Sequence, residues 1–237
     1  LPEIVSAYTC FKHVAPDVIV FLTFDWDNRL KFYSTSRHEI LDETFPEKDN
    51  FFNDLRTNVF PYGNYFIRPS ENTVYSVRWD GTKGSAEEGY AWDFGPLNNG
   101  TKTAWDAAPA FGNQKERMDY VRGKVLASEV VNYILALHGG NRRYRYAQLT
   151  RKMKLVNIFC DMETQQTVVF ENTSEGAGLN PVYWTDEYMV GIPRIPLPQE
   201  TFDLIPDAIL SEKDRIKKQH LAEDDNPYLV KYQFKSQ

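Results

Sequence analysis

The stretch "KERMDYVRGKVLASEVVNYILALH", residues 115–138, decides how the chain is to be folded. Met118, Val121, Val125, Val130, Ile134 and Leu137 recur at helical spacing, while charged side chains take the opposite face. Gly139-Gly140 then supplies a stop signal. The pattern predicts one amphipathic helix over the whole stretch. His138 would sit in its last turn, where the helix dipole favours a protonated ring. "HGG" also suggests an oxyanion loop, but the chain has no Gly-x-Ser-x-Gly nucleophile to serve it.

Upstream of this stretch the signals are mixed. "DVIVFLTF", "DWDNR" and "LKFYST" read as strand, turn and return strand over 17–35. "SRHEILDETF" predicts a short helix, with Ser36 as cap and Glu39 three positions on. "DNFFNDLRTNVF" predicts another, ending before Pro61. "NYFIRP" and "TVYSVRW" read as strands, the second closed by Asp80-Gly81. Residues 80–114 show no periodicity and read as a long loop carrying Tyr90, Trp92, Phe94, Trp105 and Phe111. Loops of that length are commonly functional or partner-binding.

Downstream, 153–170 reads as two strands about a Gln165-Gln166 turn. Residues 176–200 read as a second irregular arm with Tyr183 and Trp184. "PDAILSEKDRIKKQHLAE" reads as a helix interrupted at Pro206, and "PYLVKYQF" as an edge strand. Strands and helices mix without βαβα alternation. The expected class is therefore α+β: small, mostly antiparallel sheets, one long amphipathic helix and extended irregular arms. The expected organisation is a core over 1–175, with its loop at 80–114, followed by 176–237 as arm, helix and tail.

The chain has 237 residues, enough for a substantial core. Hydrophobic residues make up 42%, aromatic residues 14% and charged residues 25%, with a net charge of −6. No global field draws such a chain to nucleic acid or anionic lipid. Cys10 and Cys160 are the only cysteines and neither belongs to a Cys-x-x-Cys pair. That points to a reducing or neutral compartment, in which the sequons at Asn99 and Asn172 would stay silent. The start at Leu1 fits a cleaved targeting peptide, so an intracellular and mitochondrial location is expected; polyprotein cleavage would leave a similar start. The longest apolar run, "VIVFLTF", has the length of a strand, and no transmembrane segment is expected.

Several patterns bear on chemistry. In "LVNIFCDMETQQTVVF", residues 155–170, Asp161 and Glu163 follow an apolar run, an arrangement that resembles the first metal-binding motif of the DEDD exonucleases. "HLAEDD", 220–225, resembles that family's last motif. The resemblance implies two metal ions held by clustered carboxylates. The two patches lie 59 positions apart (220 − 161), too close for the strands and helices that the family places between them. Asp25 and Asp27 form a second carboxylate pair at the tip of the first hairpin. Four of the five tryptophans precede an aspartate: Trp26, Trp79, Trp92 and Trp105. Their spacing is too short for WD40 propeller repeats of roughly 40 residues, so they read as anchors of irregular segments. "NRRYRYAQLTRKMK", 141–154, is the basic cluster, with Arg142, Arg143 and Arg145 interleaved with tyrosines. It fits an acidic protein partner or anionic lipid headgroups; single-stranded RNA also matches its chemistry.

These features favour a non-catalytic accessory or scaffold subunit of a large multiprotein assembly. Its expected partner-binding residues are Trp92, Phe94, Trp105, Phe111, Arg142, Arg143, Arg145, Tyr183 and Trp184, and no cofactor is expected. The alternative is a metal-dependent hydrolase or nuclease using Asp25, Asp27, Asp161 and Glu163. A viral structural protein ranks last, because one long helix and few strands argue against a jelly roll.

Overall fold

The structure, a computed structural model, describes residues 10–22, 29–44, 60–67, 71–97, 107–174, 176, 178–192, 203, 205–220 and 229–234. It corrects the expected class: the described chain is mostly antiparallel β-sheet. Four sheets follow one another along the sequence. Sheet I holds β1 (Cys10–Ala15), β2 (Val18–Leu22), β3 (Leu30–Ser34) and β4 (Glu39–Thr44). Sheet II holds β5 (Tyr65–Ile67), β6 (Thr73–Trp79) and β7 (Gly84–Ala91). Sheet III holds β8 (Asn132–Gly140), β9 (Tyr144–Arg151), β10 (Lys154–Asp161) and β11 (Gln166–Phe170). Sheet IV holds β12 (Pro181–Trp184), β13 (Tyr188–Gly191) and β14 (Val230–Gln233). Every sheet orders its strands as the chain does. Each taken alone is an up-and-down meander.

The predicted long helix is replaced by three different structures. Helix α1 (Gln114–Tyr120) is capped by Asn113, whose Oδ1 accepts from the Glu116 N–H at 3.0 Å. Wider π-helical turns follow over Val121–Leu126 and bury Val121 and Val125. Then the chain leaves the helix and enters β8. The reason is local composition together with partners. The run Val130–Ile134 is mostly β-branched or aromatic, which suits a pleated surface better than a helix. Backbone bonds stabilise the exit: Val131 N–H to the Leu97 carbonyl, Lys152 N–H to that of Ser128, and Met153 N–H to that of Leu126. Only the first half of the apolar stripe is helical.

Other expectations on the fold divide similarly. The strands at 18–22, 30–34, 65–67, 73–79, 154–161, 166–170 and 230–233 form where the sequence places strands, and β14 is an edge strand beside β13. The helix expected from Ser36 is a turn followed by β4. The helix expected over 49–60 lies outside the described residues, apart from Phe60. Part of the expected 80–114 loop is β7, and the expected irregular arm contains β12 and β13. The interrupted helix forms as a short 3-10 turn, Asp207–Ile209, and α2 (Glu212–Gln219).

The chain divides into two compact units: residues 1–138 with 148–155, and residues 139–147 with 156–237. In unit 1, sheets I and II pack around Val18, Val20, Leu22, Leu30, Phe32, Phe60, Phe66 and Val77. β3 is buried along its whole length between β2 and β4. Phe32 stacks on Trp79 with centroids 5.5 Å apart. Asp17, in the β1–β2 turn, accepts from the Ser34, Thr35 and Ser36 hydroxyls and from the Ser36 N–H at 2.6–2.7 Å, tying that turn to the one after β3. These donors favour the ionised form and hold its carboxyl well below the usual carboxylate range. In unit 2, Tyr146, Leu179 and Met189 are buried among Phe159, Phe170, Trp184, Tyr232 and Phe234. The Tyr146 hydroxyl donates to Asn157 Oδ1 at 2.7 Å, and Asn157 Nδ2 donates to the Phe170 and Glu171 carbonyls.

Candidate binding surface

Three turns of unit 2 are bonded to one another: 141–143 after β8, 162–165 after β10, and 185–187 after β12. Asn141 Nδ2 donates to the Thr185 carbonyl at 2.7 Å. The Arg142 N–H donates to Asp186 Oδ1, and its guanidinium lies 3.5 Å from Oδ2. The Met162 N–H donates to the Arg143 carbonyl at 2.8 Å. Arg143 grips Asp161 in a fork, Nε at 3.0 and 3.1 Å and Nη2 at 2.6 Å, and Nε lies 3.3 Å from Glu163. The Arg143 side chain is 23% exposed and that of Asp161 14%. Such bidentate pairing is the strong form of the interaction. The hydrogen bonds from Arg143 pull the Asp161 pKa down to about 2, and the same pairing raises that of Arg143.

This arrangement places the carboxylates of the exonuclease-like stretch. Asp161 and Glu163 both face Arg143, and Asp161 also accepts from the Glu163 N–H at 2.9 Å. Among the described residues no three His, Cys, Asp or Glu side chains group closely enough to hold a metal ion. Asp25, Asp27 and Asp225 lie outside the described residues.

The basic cluster is mostly β-strand, with Tyr146 to Thr150 buried on β9. Of its arginines, Arg143 is neutralised by Asp161. Arg145 donates to the Asn141 carbonyl, and Arg151 donates to the Glu129 carbonyl. Arg142 is the one of the three expected contact arginines that reaches out, with its side chain 92% exposed.

The expected aromatic contacts separate by burial. Trp92 is inside unit 1, 5.8 Å from Tyr90 and 6.5 Å from His138. Phe94 is half-buried, and Phe111 is half-buried against Tyr120 at 5.4 Å. Trp105 lies outside the described residues. Trp184 is half-buried against the core of unit 2, within 6.0 Å of Tyr146, Phe159 and Phe234. Its ring lies over Gly139, where an added Cβ would come within 2.2 Å of Trp184 Nε1. Tyr183 is 57% exposed, beside Val182 on the edge strand β12.

Two features escaped the sequence reading. Val168 and Val169, each 58% exposed, stand on successive positions of the edge strand β11. Successive strand residues point to opposite faces, so β11 shows apolar side chains on both. The alternation rule had no polar face to mark there. His138 is a buried strand residue, not a helix-terminal one, and its pKa is pushed down to about 3 by burial alone.

Among the described residues, no helix is long and apolar enough to cross a membrane. No protein-family description matches the chain, and no curated protein matches its sequence. The fold is similar to the crystal structure of a "Putative exported protein" from Bacteroides fragilis, with a TM-score of 0.61 and 11% identity. The likeness covers 93% of this chain and 63% of that one, so this chain spans less than two thirds of its neighbour's length. At 11% identity the two share a fold.

Proposed function

We propose that the chain is a non-catalytic accessory subunit that binds other proteins of a larger assembly through its strand edges. One observation carries this reading: the edge strands β11 and β12 present Val168, Val169, Val182 and Tyr183 with more than half their surface in solvent. Exposed edge strands with apolar side chains are templates for pairing and are ordinarily blunted by charge or covered. No charged residue lies within β11 or β12. Arg142 and Asp186, both exposed, would lie at the polar rim of such a contact.

Location enters through the neighbour's printed name. An exported protein of similar fold favours a secretory setting for this chain over the mitochondrial one.

The test is sedimentation of the native chain from its source. The wild-type chain should travel in a particle much larger than itself. Val169→Lys with Tyr183→Lys should shift it to the monomer position at an unchanged melting temperature, since exposed substitutions cost within about 0.5 kcal/mol. A wild-type chain that sediments alone overturns the reading.

A further inference from the structure

The contact between Trp92 and His138 in unit 1 has a chemistry of its own. His138 is 8% exposed, and neither Nδ1 nor Nε2 has a hydrogen-bond partner among the described residues. Its ring lies 6.5 Å from that of Trp92, tilted by 45°. Behind Trp92 the rings continue: Tyr90 at 5.8 Å, then Tyr65 at 5.8 Å from Tyr90. The Tyr62 hydroxyl meets that of Tyr90 at 2.6 Å. The imidazole thus ends a row of aromatic side chains. Buried polar groups are normally hydrogen-bonded, and burying the charged form of one costs far more than burying the neutral form.

The charged groups on the neighbouring elements give no compensation. β8 carries no other titratable side chain except Tyr133. Glu87 and Glu88 on β7, and Asp93 after it, are exposed, and Asp93 accepts from the Gly95 N–H. On β9, Arg145 and Arg151 are bound to the carbonyls of Asn141 and Glu129. None of these influences the ring; burial alone lowers its pKa from 6.5 to about 3.

We propose that His138 is an acid-sensitive closure of unit 1: neutral, it packs against Trp92; protonated, it leaves the interior for water and lets the Trp92 segment and the end of β8 open. This inference stands independently of the proposed function. The sign follows from linkage. The closed form holds the neutral ring, so closure is complete above the open-state pKa of 6.5 and is lost as pH falls from there toward about 3. The opening equilibrium should rise about 30-fold between about pH 7.5 and about pH 5, the ratio of protonation factors for the two pKa values.

The experiment is amide hydrogen exchange on the intact chain at those two pH values, corrected for intrinsic rates, with an NMR titration of the histidine ring carbons. Trp92 and 137–140 should lose protection about 30-fold at the lower pH in the wild type. His138→Phe should abolish the loss. Where that variant does not fold, His138→Gln and the wild-type titration decide: the ring should stay neutral until the amides open. A His138 ring that titrates near its ordinary value with protection unchanged overturns the proposal. So does an equal loss of protection in wild type and variant.

Discussion

Gly84→Ala should be among the most damaging single-methyl additions in the chain. Gly84 opens β7, and a Cβ there would lie 2.1, 2.3 and 2.4 Å from three ring atoms of Phe32. Carbon atoms pack best at about 3.5–4.0 Å, so the shortfall exceeds about 1 Å. Phe32 has nowhere to go: it is 0% exposed, stacked on Trp79, and carried by a strand paired on both sides. Nor is the glycine backbone loose, since its N–H donates to Asp42 Oδ2 at 2.8 Å. If the backbone yields, the chain loses a hydrogen bond to a carboxylate, about 1.5–3 kcal/mol, and gains packing strain of about 1–3 kcal/mol. If the ring is expelled instead, the cost approaches that of deleting a buried phenylalanine, about 3–5 kcal/mol. Both routes predict a loss of about 3 kcal/mol or more. Urea unfolding followed by far-UV circular dichroism reads this directly. At a slope of about 2 kcal/mol/M the midpoint should fall by roughly 1.5 M with the slope unchanged. Phe32→Leu in the same background should recover about 1–2 kcal/mol relative to additivity, because it removes the clashing ring. A Gly84→Ala midpoint within about 0.5 kcal/mol of wild type would refute the reasoning.

Gly123→Ala offers the opposite case: a Cβ there meets nothing within 4 Å. Melting curves should show stabilisation by about 0.5–1 kcal/mol, the helix preference for alanine. Lys152 and Met153 form the β9–β10 turn with φ of 51° and 63°, a conformation that costs a non-glycine residue about 1–2 kcal/mol. Met153→Gly should therefore raise the unfolding midpoint, and a lowered one would show that the Met153 side chain matters more than the turn. Tyr146→Phe removes the donor to Asn157 Oδ1 between two residues that are each 1% exposed, and should cost about 1–3 kcal/mol by chemical denaturation. Asp161, held near a pKa of about 2 against 3.8, contributes stability that is present above 3.8 and lost as pH falls through about 2. Arg143→Ala should move its titration, read by carboxyl-carbon NMR, back toward 3.8; an unmoved titration would remove the ion pair as the cause.

Some hairpins were legible and others were not: β4 reads as a helix, β7 as part of a loop, and β12 and β13 as an irregular arm, although each pairs with a near neighbour in sequence. "VIVFL" and "LKFYS", "TVYSVRW" before Asp80-Gly81, and the strands about Gln165 combine β-branched or aromatic runs with flanking turn formers, and they form strands as those signals direct. The stretch 115–138 was not legible in the same way. Its apolar residues satisfy a helical stripe as well as a strand run, and periodicity cannot choose between them. Tertiary partners choose: Leu97, Leu126 and Ser128 supply carbonyls that end the helix, and the neighbouring strand β9 completes the ladder. Burial is likewise a tertiary property. Trp92 and Trp184 are expected as partner contacts because their segments lack periodicity, yet Trp92 is buried and Trp184 half-buried against rings distant in sequence.

The sequence by itself determined the β2–β3 and β10–β11 hairpins and the lack of a long apolar run, because each depends on residues within a few positions of one another. Only the tertiary structure decided the charge state and availability of the candidate groups. Arg143 and Asp161 stand 18 positions apart and cancel because the turns after β8 and β10 are brought side by side. His138 stays neutral because distant strands exclude water from it. Desolvation and pairing act through space at a few ångströms, and the strand register that sets those distances is a property of the assembled sheets.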